Sequence, residues 1–328
     1  MNKKVENSRI LITGGAGFIG SNLVEALLAQ NNEVVVLDNF ATGKRENIAS
    51  FTGNPAFTLI EGDIRDMAMC RKAVDGMDYV FHEAALGSVP RSIKDPVDTT
   101  EVNVSGFVNI LFAAHKATVK RVVYASSSSV YGDDPNLPKM EEQTGHPLSP
   151  YAVTKCVGEW FAENFSQVYG IKVIGLRYFN VYGRRQDPEG AYAAVIPKFA
   201  ANLLRHESPV INGDGSNSRD FTYIDDVVQA NQLALLVEKP DAVNTVYNIA
   251  YGECTTLNEL FESLRKNLAV FDLQIAAIKP QYGPNRAGDI PHSLADIDKG
   301  RTLLGYAPEY SVKSGLKEAA KWYFENLK

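Results

Sequence analysis

The stretch from Arg9 to Asp38 constrains the fold more than any other part of the chain. Arg9 to Thr13 has the pattern of a short apolar strand, Gly14-Gly-Ala-Gly-Phe-Ile-Gly20 that of a turn, Phe18 to Ala29 that of an apolar-periodic helix, and Glu33-Val-Val-Val-Leu-Asp38 that of a second strand. Together they predict a βαβ unit. Glycines at 14, 17 and 20 let the backbone turn tightly, approach a pyrophosphate and pack the helix on the strand, while free N–H groups at the helix start hold the anion. The spacing is Gly-x-x-Gly-x-x-Gly rather than the commoner Gly-x-Gly-x-x-Gly. Asp38 ends the next strand, where an acid is expected on the adenosine ribose hydroxyls and repels a 2′-phosphate, which favours NAD. Lys44 and Arg45, just downstream, are basic residues that could accept such a phosphate.

Strand patterns continue through residues 57–63, 78–85 and 121–126, separated by helical patterns at 66–75 and 102–117. This alternation predicts an α/β fold with a doubly wound parallel sheet, whose ligands bind beyond the carboxyl ends of the strands. Three strand tails matter. Asp63-Ile64 could contact the adenine, or Asp63 could cap a helix; Ala84 to Ser88 offers small side chains and a close backbone approach. Ser126-Ser-Ser-Ser129 sets up to four hydroxyls at the mouth of the sheet. His82, inside an apolar strand, is expected to be a satisfied core histidine, and the other histidines show no metal spacing, so no metal is assigned.

A phenol and an ammonium lie one helical turn apart in Tyr151-Ala-Val-Thr-Lys155. Residues at i and i+4 share a helix face, and a Lys charge beside a Tyr favours the ionised phenol, so the pair can act as a proton shuttle. Composition limits the partners. With 328 residues and a net charge of -6 the chain can bury a proper core, and its average field attracts neither nucleic acid nor an anionic membrane. Anionic ligands must therefore meet locally placed cations or helix termini. Cys70, Cys156 and Cys254 lie far apart and are expected to be buried reduced thiols. The polar residues 1–9 lack a signal-peptide core, and no apolar run approaches the ~20 residues that cross a bilayer, so residence in the cytoplasm is expected.

In order, Gly14-x-x-Gly17-x-x-Gly20, the serine run, Tyr151-x-x-x-Lys155 and Leu176-Arg-Tyr-Phe-Asn180 resemble the extended short-chain dehydrogenase/reductase superfamily, and within it the UDP-galactose 4-epimerases, over almost the full chain. More narrowly, Gly87-Ser-Val-Pro-Arg-Ser92, Arg184-Arg-Gln-Asp-Pro188, residues 190–197 and Ile211-Asn-Gly-Asp-Gly215 resemble the bacterial UDP-N-acetylglucosamine 4-epimerases of polysaccharide synthesis. The resemblance implies a Rossmann domain over residues 1–180 that holds NAD, with a return of the chain near 246–252, and a smaller α/β domain over 181–328 for the UDP-sugar. It implies Tyr151 as base, Lys155 as the lysine that lowers its pKa and holds the nicotinamide ribose, Ser127 as catalytic hydroxyl and Ser128 as a further sugar contact. Phe18, Ile19, Asn39, Gly43 and Tyr178 join Gly14, Gly17, Gly20, Asp38, Asp63, Ile64 and Ala84 as expected cofactor contacts. Gly87, Ser88, Asn180, Val195 and Asn212 are expected substrate contacts, with Arg91 and Lys198 as weaker candidates.

Arg219 and Arg286 match the family's two diphosphate arginines and Asp289 a residue on the uridine ribose; without the resemblance both arginines would pass for surface charges. The position six residues before Lys299 is Ser293. In the family a bulky Tyr there restricts the pocket to unacetylated sugars, so Ser293 implies room for a 2-acetamido group. The expected reaction is NAD-dependent C4 epimerisation of UDP-N-acetylglucosamine through a 4-keto sugar; the corresponding uronic acid and UDP-glucose are the alternatives. Dehydratase relatives place Asp-Glu directly after the position of Ser127, where this chain has Ser128 and Ser129, so dehydration is not expected. A homodimer is expected, with Trp160, Phe161 and Phe165 as its surface or, equally, as core.

Overall fold

The computed structural model describes residues 4–189, 193–284 and 291–327. Its centre is a seven-stranded parallel sheet built from β1 (Arg9–Thr13), β2 (Glu33–Asp38), β3 (Phe57–Glu61), β4 (Tyr79–His82), β5 (Arg121–Ser127), β6 (Val173–Tyr178) and β7 (Thr245–Ile249). The spatial order is β3-β2-β1-β4-β5-β6-β7, so the winding reverses between β1 and β4. Successive strand residues point to opposite faces, and both faces are apolar. Ile10 and Ile12 pack with Leu23, Val24 and Leu27 of helix Phe18–Leu28, whereas Leu11 joins Val74 and Ile110 on the other side. That double burial is why the strands read as continuous hydrophobic runs.

β3 and β4 stop short of the expected 63 and 85. Their last pairs are Glu61 with Asp38, and His82 with Thr13 on one side and Tyr124 on the other. Residues 62–64 and 83–86 are thereby released into the crevice at the switch point. The expected helix 102–117 is also modified: Glu101–Gly106 is a π-helical turn before helix Phe107–Lys116. Two short helices, Val89–Lys94 and Pro96–Thr100, precede it, capped by the Ser88 and Asp95 side chains.

In the second half, helices Val195–Leu204, Leu257–Leu268 and Val312–Asn326 pack on one another, while Ile224–Leu236 lies on helix Phe18–Leu28. Thr256 opens Leu257–Leu268 with a full capping box to Glu259. Strand Ser218–Asp220 is flanked by Cys254–Thr256, antiparallel, and by His292–Ser293, parallel. Phe165 is core, whereas Trp160 is 67% exposed. Among the cysteines only Cys70 is buried: Cys156 is half-buried and Cys254 exposed, on a short strand with one open side, so the expectation of three buried thiols does not hold.

His82 is buried in β4, 2.8 Å from the Thr13 hydroxyl through Nδ1 and stacked on Phe107. Burial, helped by the Lys155 charge, pushes its pKa down to about 3 from 6.5. The folded state thus refuses a proton that the unfolded chain accepts, and the stability His82 contributes is complete above pH 6.5 and lost as pH falls toward 3. Glu83 and Asp220, raised by burial to about 7, carry the opposite sign: their contribution is present at low pH and lost as pH rises through 7. The His82 effect must therefore be read as a difference. Between pH 6 and 4, wild type should lose about 1.4 kcal/mol per pH unit relative to His82→Phe, measured as urea midpoints. Parallel curves would refute the assignment.

Candidate active site

The switch-point crevice is lined by Gly14, Gly17, Asp38, Asn39, Gly43, Asp63, Ile64, Glu83 and Ala84, which gathers most of the expected cofactor residues in one place. The glycines are sterically required. A Cβ at Gly20 would lie 2.2 Å from the Gly14 carbonyl oxygen, and one at Gly14, where φ is +71°, 2.7 Å from the Ala84 nitrogen. Phe18 and Ile19 open the helix that follows, with no side-chain cap at Gly17, so its first N–H groups have no side-chain acceptor. Asp38 is 7% exposed and accepts from the backbone N–H of Ala16 at 2.9 Å and of Phe40 at 2.8 Å. Burial raises its pKa while those two N–H groups oppose the rise. A glycine cradle at a helix start, followed by an acid at the end of the next strand, fits NAD.

Asp63 is held by Arg65 at 2.8 Å and by the Asn39 amide at 2.8 Å. The Arg65 bond in particular pulls its pKa down to about 2. Asp63 does not cap the following helix; Asp66 does, accepting from Ala68 and Met69 N–H groups. Ile64 is buried under the crevice floor at 5% exposure. Lys44 pairs with Asp187 and Glu46, and Arg45 with Glu61 at 2.7 Å, so neither is an unpaired cation waiting for a phosphate.

Tyr151 and Lys155 share the first turns of helix Pro150–Tyr169, which Ser149 caps by accepting from the Ala152 N–H at 3.1 Å. Lys155 Nζ lies 5.8 Å from the Tyr151 ring centroid and donates to the Ala125 carbonyl of β5 at 2.7 Å. Ser127 ends β5, and Ser128–Tyr131 follows as a 3₁₀ turn in which Ser127 Oγ accepts from the Ser129 N–H at 3.1 Å. Asn103, in the π-helical turn, accepts from the Leu86 N–H at 2.8 Å and donates to Thr154 Oγ1 at 3.1 Å. It ties the tail of β4 to the residue next to Lys155.

Sequence reasoning missed several buried polar residues. Glu159 accepts from the Ser126 hydroxyl at 2.5 Å and pairs with Arg177 at 2.9 and 2.8 Å. Burial works against the Arg177 charge, but the Glu159 carboxylate outweighs it and the guanidinium pKa rises. A charge inside the apolar run 173–178 was the available signal, because a buried Arg demands a partner. Glu83 was missed too. It sits on the crevice wall, accepts from the Tyr178 hydroxyl at 2.9 Å, and is pushed up to about 7 by burial. Tyr178 also meets Asn231, so its hydroxyl is committed to an internal network.

On the substrate side, Gly87 is exposed with open space around it. The Ser88 hydroxyl caps helix Val89–Lys94, accepting from the Arg91 N–H at 3.1 Å. Arg91 is half-buried. Asn180, in the left-handed region at φ 36°, donates to the Asp220 carbonyl at 2.8 Å. Val195 is half-buried at the start of its helix, Lys198 is exposed, and Asn212 ends strand Val210–Asn212. Arg219 Nη1 donates to the Ser218 and Pro291 carbonyls, and Ser293 stands directly opposite Arg219 across the strand pair. Asp220, fully buried, accepts from the N–H groups of Tyr251, Gly252 and Ala295 and so fastens two separate segments to the strand that carries Arg219. Arg286 and Asp289 lie outside the described residues. Among the described residues no cluster of three metal-ligating side chains occurs, and no helix is long and apolar enough to cross a membrane.

Comparison with known proteins agrees with this geometry. Residues 10–250 match the NAD dependent epimerase/dehydratase family. The chain is similar to a putative UDP-glucose 4-epimerase of Methanocaldococcus jannaschii, at 39% identity over 97% of this chain and 99% of the relative. Among solved structures it is similar to the UDP-N-acetylglucosamine 4-epimerase of Methanobrevibacter ruminantium in complex with UDP-N-acetylmuramic acid, with a TM-score of 0.91, 39% identity and coverage of 98% and 99% of the two chains. It is also similar to the UDP-glucuronic acid 4-epimerase of Bacillus cereus, solved with UDP-glucuronic acid and NAD, with a TM-score of 0.86, 33% identity and coverage of 98% and 100%. With its parallel Rossmann sheet, glycine cradle and Tyr-Lys helix, the chain belongs to the NAD-dependent epimerase/dehydratase family of extended short-chain dehydrogenases/reductases.

Proposed function

We propose that this chain is a UDP-sugar 4-epimerase acting on a UDP-N-acetylhexosamine, interconverting UDP-N-acetylglucosamine and UDP-N-acetylgalactosamine. The observation that carries the reading is the anchoring of Lys155 to the Ala125 carbonyl, two residues before Ser127. It ties the helix that bears Tyr151 to the strand that bears Ser127, which supports a base and a hydroxyl acting on one substrate atom. Residues 1–180 with β7 form the cofactor unit and the remainder of 181–328 receives the UDP-sugar.

Tyr151 takes the proton of the sugar 4-hydroxyl, and Ser127 hydrogen-bonds the same oxygen. The chemistry that bound NAD supplies is reversible hydride transfer at C4. Arg219 and Arg286 hold the diphosphate while the flat 4-keto sugar turns to present its other face. Tyr151 then returns the proton, and the sugar leaves inverted at C4 with no net redox change. Ser128 and Ser129 offer no acid-base pair for loss of the 6-hydroxyl.

Ser293 faces the same strand pair as Arg219, so a pocket-size residue and a diphosphate cation are cross-strand neighbours. This supports an acetamido pocket beside the diphosphate. One observation favours a second reading, the 6-carboxylated N-acetyl sugar: Arg91 is half-buried and forms no ion pair among the described residues. Incubation with UDP-N-acetylglucosamine, its uronic acid and UDP-glucose separately decides. UDP-N-acetylglucosamine should give the highest kcat/KM, and Ser293→Tyr should lower its ratio to UDP-glucose at least about 100-fold. Equal wild-type efficiency on the two, or preference for UDP-glucose, refutes the acetamido assignment.

The chain forms a homodimer through helix Pro150–Tyr169. Val153, Trp160 and Val168 are exposed at helical spacing, and Ile93 and Val97 on the neighbouring short helices are 64% and 67% exposed. Trp160→Glu should weaken self-association at least about thirtyfold by sedimentation. Undiminished association would show that the face lies elsewhere.

A further inference from the structure

We infer that Glu159 is a positioning residue that holds the Tyr151–Lys155 helix and the Ser127 strand tail in register through the Ser126 hydroxyl. This rests on the proposed roles of Tyr151 and Ser127. Glu159 lies four residues beyond Lys155, on the same face of the same helix. Its carboxylate reaches two other elements at once: Ser126 on β5, immediately before Ser127, at 2.5 Å, and Arg177 on β6 at 2.9 and 2.8 Å. The pair is desolvated, with the two side chains 13% and 5% exposed.

From Arg177 the chain of bonds continues. Its guanidinium donates to Tyr131 Oη at 3.0 Å and to the Glu141 carbonyl at 3.0 Å, and Tyr131 donates to Asn248 Oδ1 of β7 at 2.6 Å. Asn248 in turn donates to the carbonyls of Lys139 and Asp296 at 2.9 Å each. Lys139 exchanges backbone bonds with Leu294 and Asp296, on the segment directly after Ser293. Every element that carries an expected proton-transfer or pocket-size residue is therefore fastened to one fully bonded polar network whose branch point is Glu159. Tyr131 closes the 3₁₀ turn that begins with Ser128, so the serine loop is held from both ends.

The Glu159 carboxylate accepts one hydrogen bond from Ser126 and two from Arg177, and together with the Lys155–Ala125 bond these set the distance between the phenol-bearing helix and the serine-bearing tail; misplacement by about 1 Å is enough to cost about 100-fold in rate. The gentle test is Ser126→Ala, which leaves the Glu159–Arg177 pair in place. It should lower kcat about tenfold or more, with KM within about twofold, the thermal midpoint nearly unchanged and NAD retained on purification. Ser126→Thr, which keeps the hydroxyl, should recover most of the rate. Glu159→Gln should lower kcat further, and adding Ser126→Ala to it should cost nothing more, because the two act through one bond. An active wild type whose Ser126→Ala variant matches it in kcat, or a kcat loss that Ser126→Thr fails to recover, overturns the positioning role alone. A wild type that epimerises none of the three UDP-sugars overturns the proposed function and this assignment together.

Discussion

A parallel sheet covered on both faces has one outlet for polar chemistry, the ends of its strands. Here Ile10, Ile12, Val36, Val123 and Leu176 are sealed under one helical layer, and Leu11, Leu37, Val80 and Val122 under the other. A hydrophilic side chain in the body of such a strand must either be paired or fail to fold. The strands β1 to β4 stop pairing at Thr13, Asp38, Glu61 and His82, and the residues that follow form the crevice at the switch point. The cofactor cleft is thus set by where the hydrogen-bond ladder runs out.

The exceptions to that seal are informative. Arg177 sits within β6 at 4% exposure, and a charge there is tolerable only because Glu159, Tyr131 and the Glu141 carbonyl satisfy it. Such pairs are weak evidence for stability, since well-packed apolar replacements are often neutral or better. Removing one partner, however, typically costs about 3–5 kcal/mol, because the other is left charged and buried. A pair of this kind defines position more firmly than it adds stability. Its location between the serine tail and the tyrosine helix is where definition of position matters most.

Much of this was legible in the sequence because it was local. The βαβ unit, the acid ending β2 and the i,i+4 spacing of Tyr151 and Lys155 are fixed by residues a few positions apart. The return of the chain, expected near 246–252 from the resemblance, is β7, which pairs in parallel with β6. What was not legible depends on long-range partners. Nothing in the neighbourhood of Glu159 announces Ser126 or Arg177, and nothing near Asp220 announces the N–H groups of Tyr251, Gly252 and Ala295. Cys254 looked like a core thiol by residue type, yet its strand lies at the open side of a three-stranded sheet. Trp160, ambiguous by pattern, was settled only by which face of its helix the core had already taken.

The chain's acidity sharpens the choice of cofactor. A net charge of -6 gives no general attraction for phosphates, so each must be met by a local donor. At the adenosine end the local arrangement points away from an extra phosphate. Asp38 is already fixed by the Ala16 and Phe40 N–H groups, and Lys44 and Arg45 are neutralised by Asp187, Glu46 and Glu61. A 2′-phosphate would have to break exposed ion pairs, each worth little, and also approach a carboxylate held rigidly in low-dielectric surroundings. The second cost dominates. It makes the discrimination a property of Asp38 and its two backbone donors, with the downstream basic residues as bystanders.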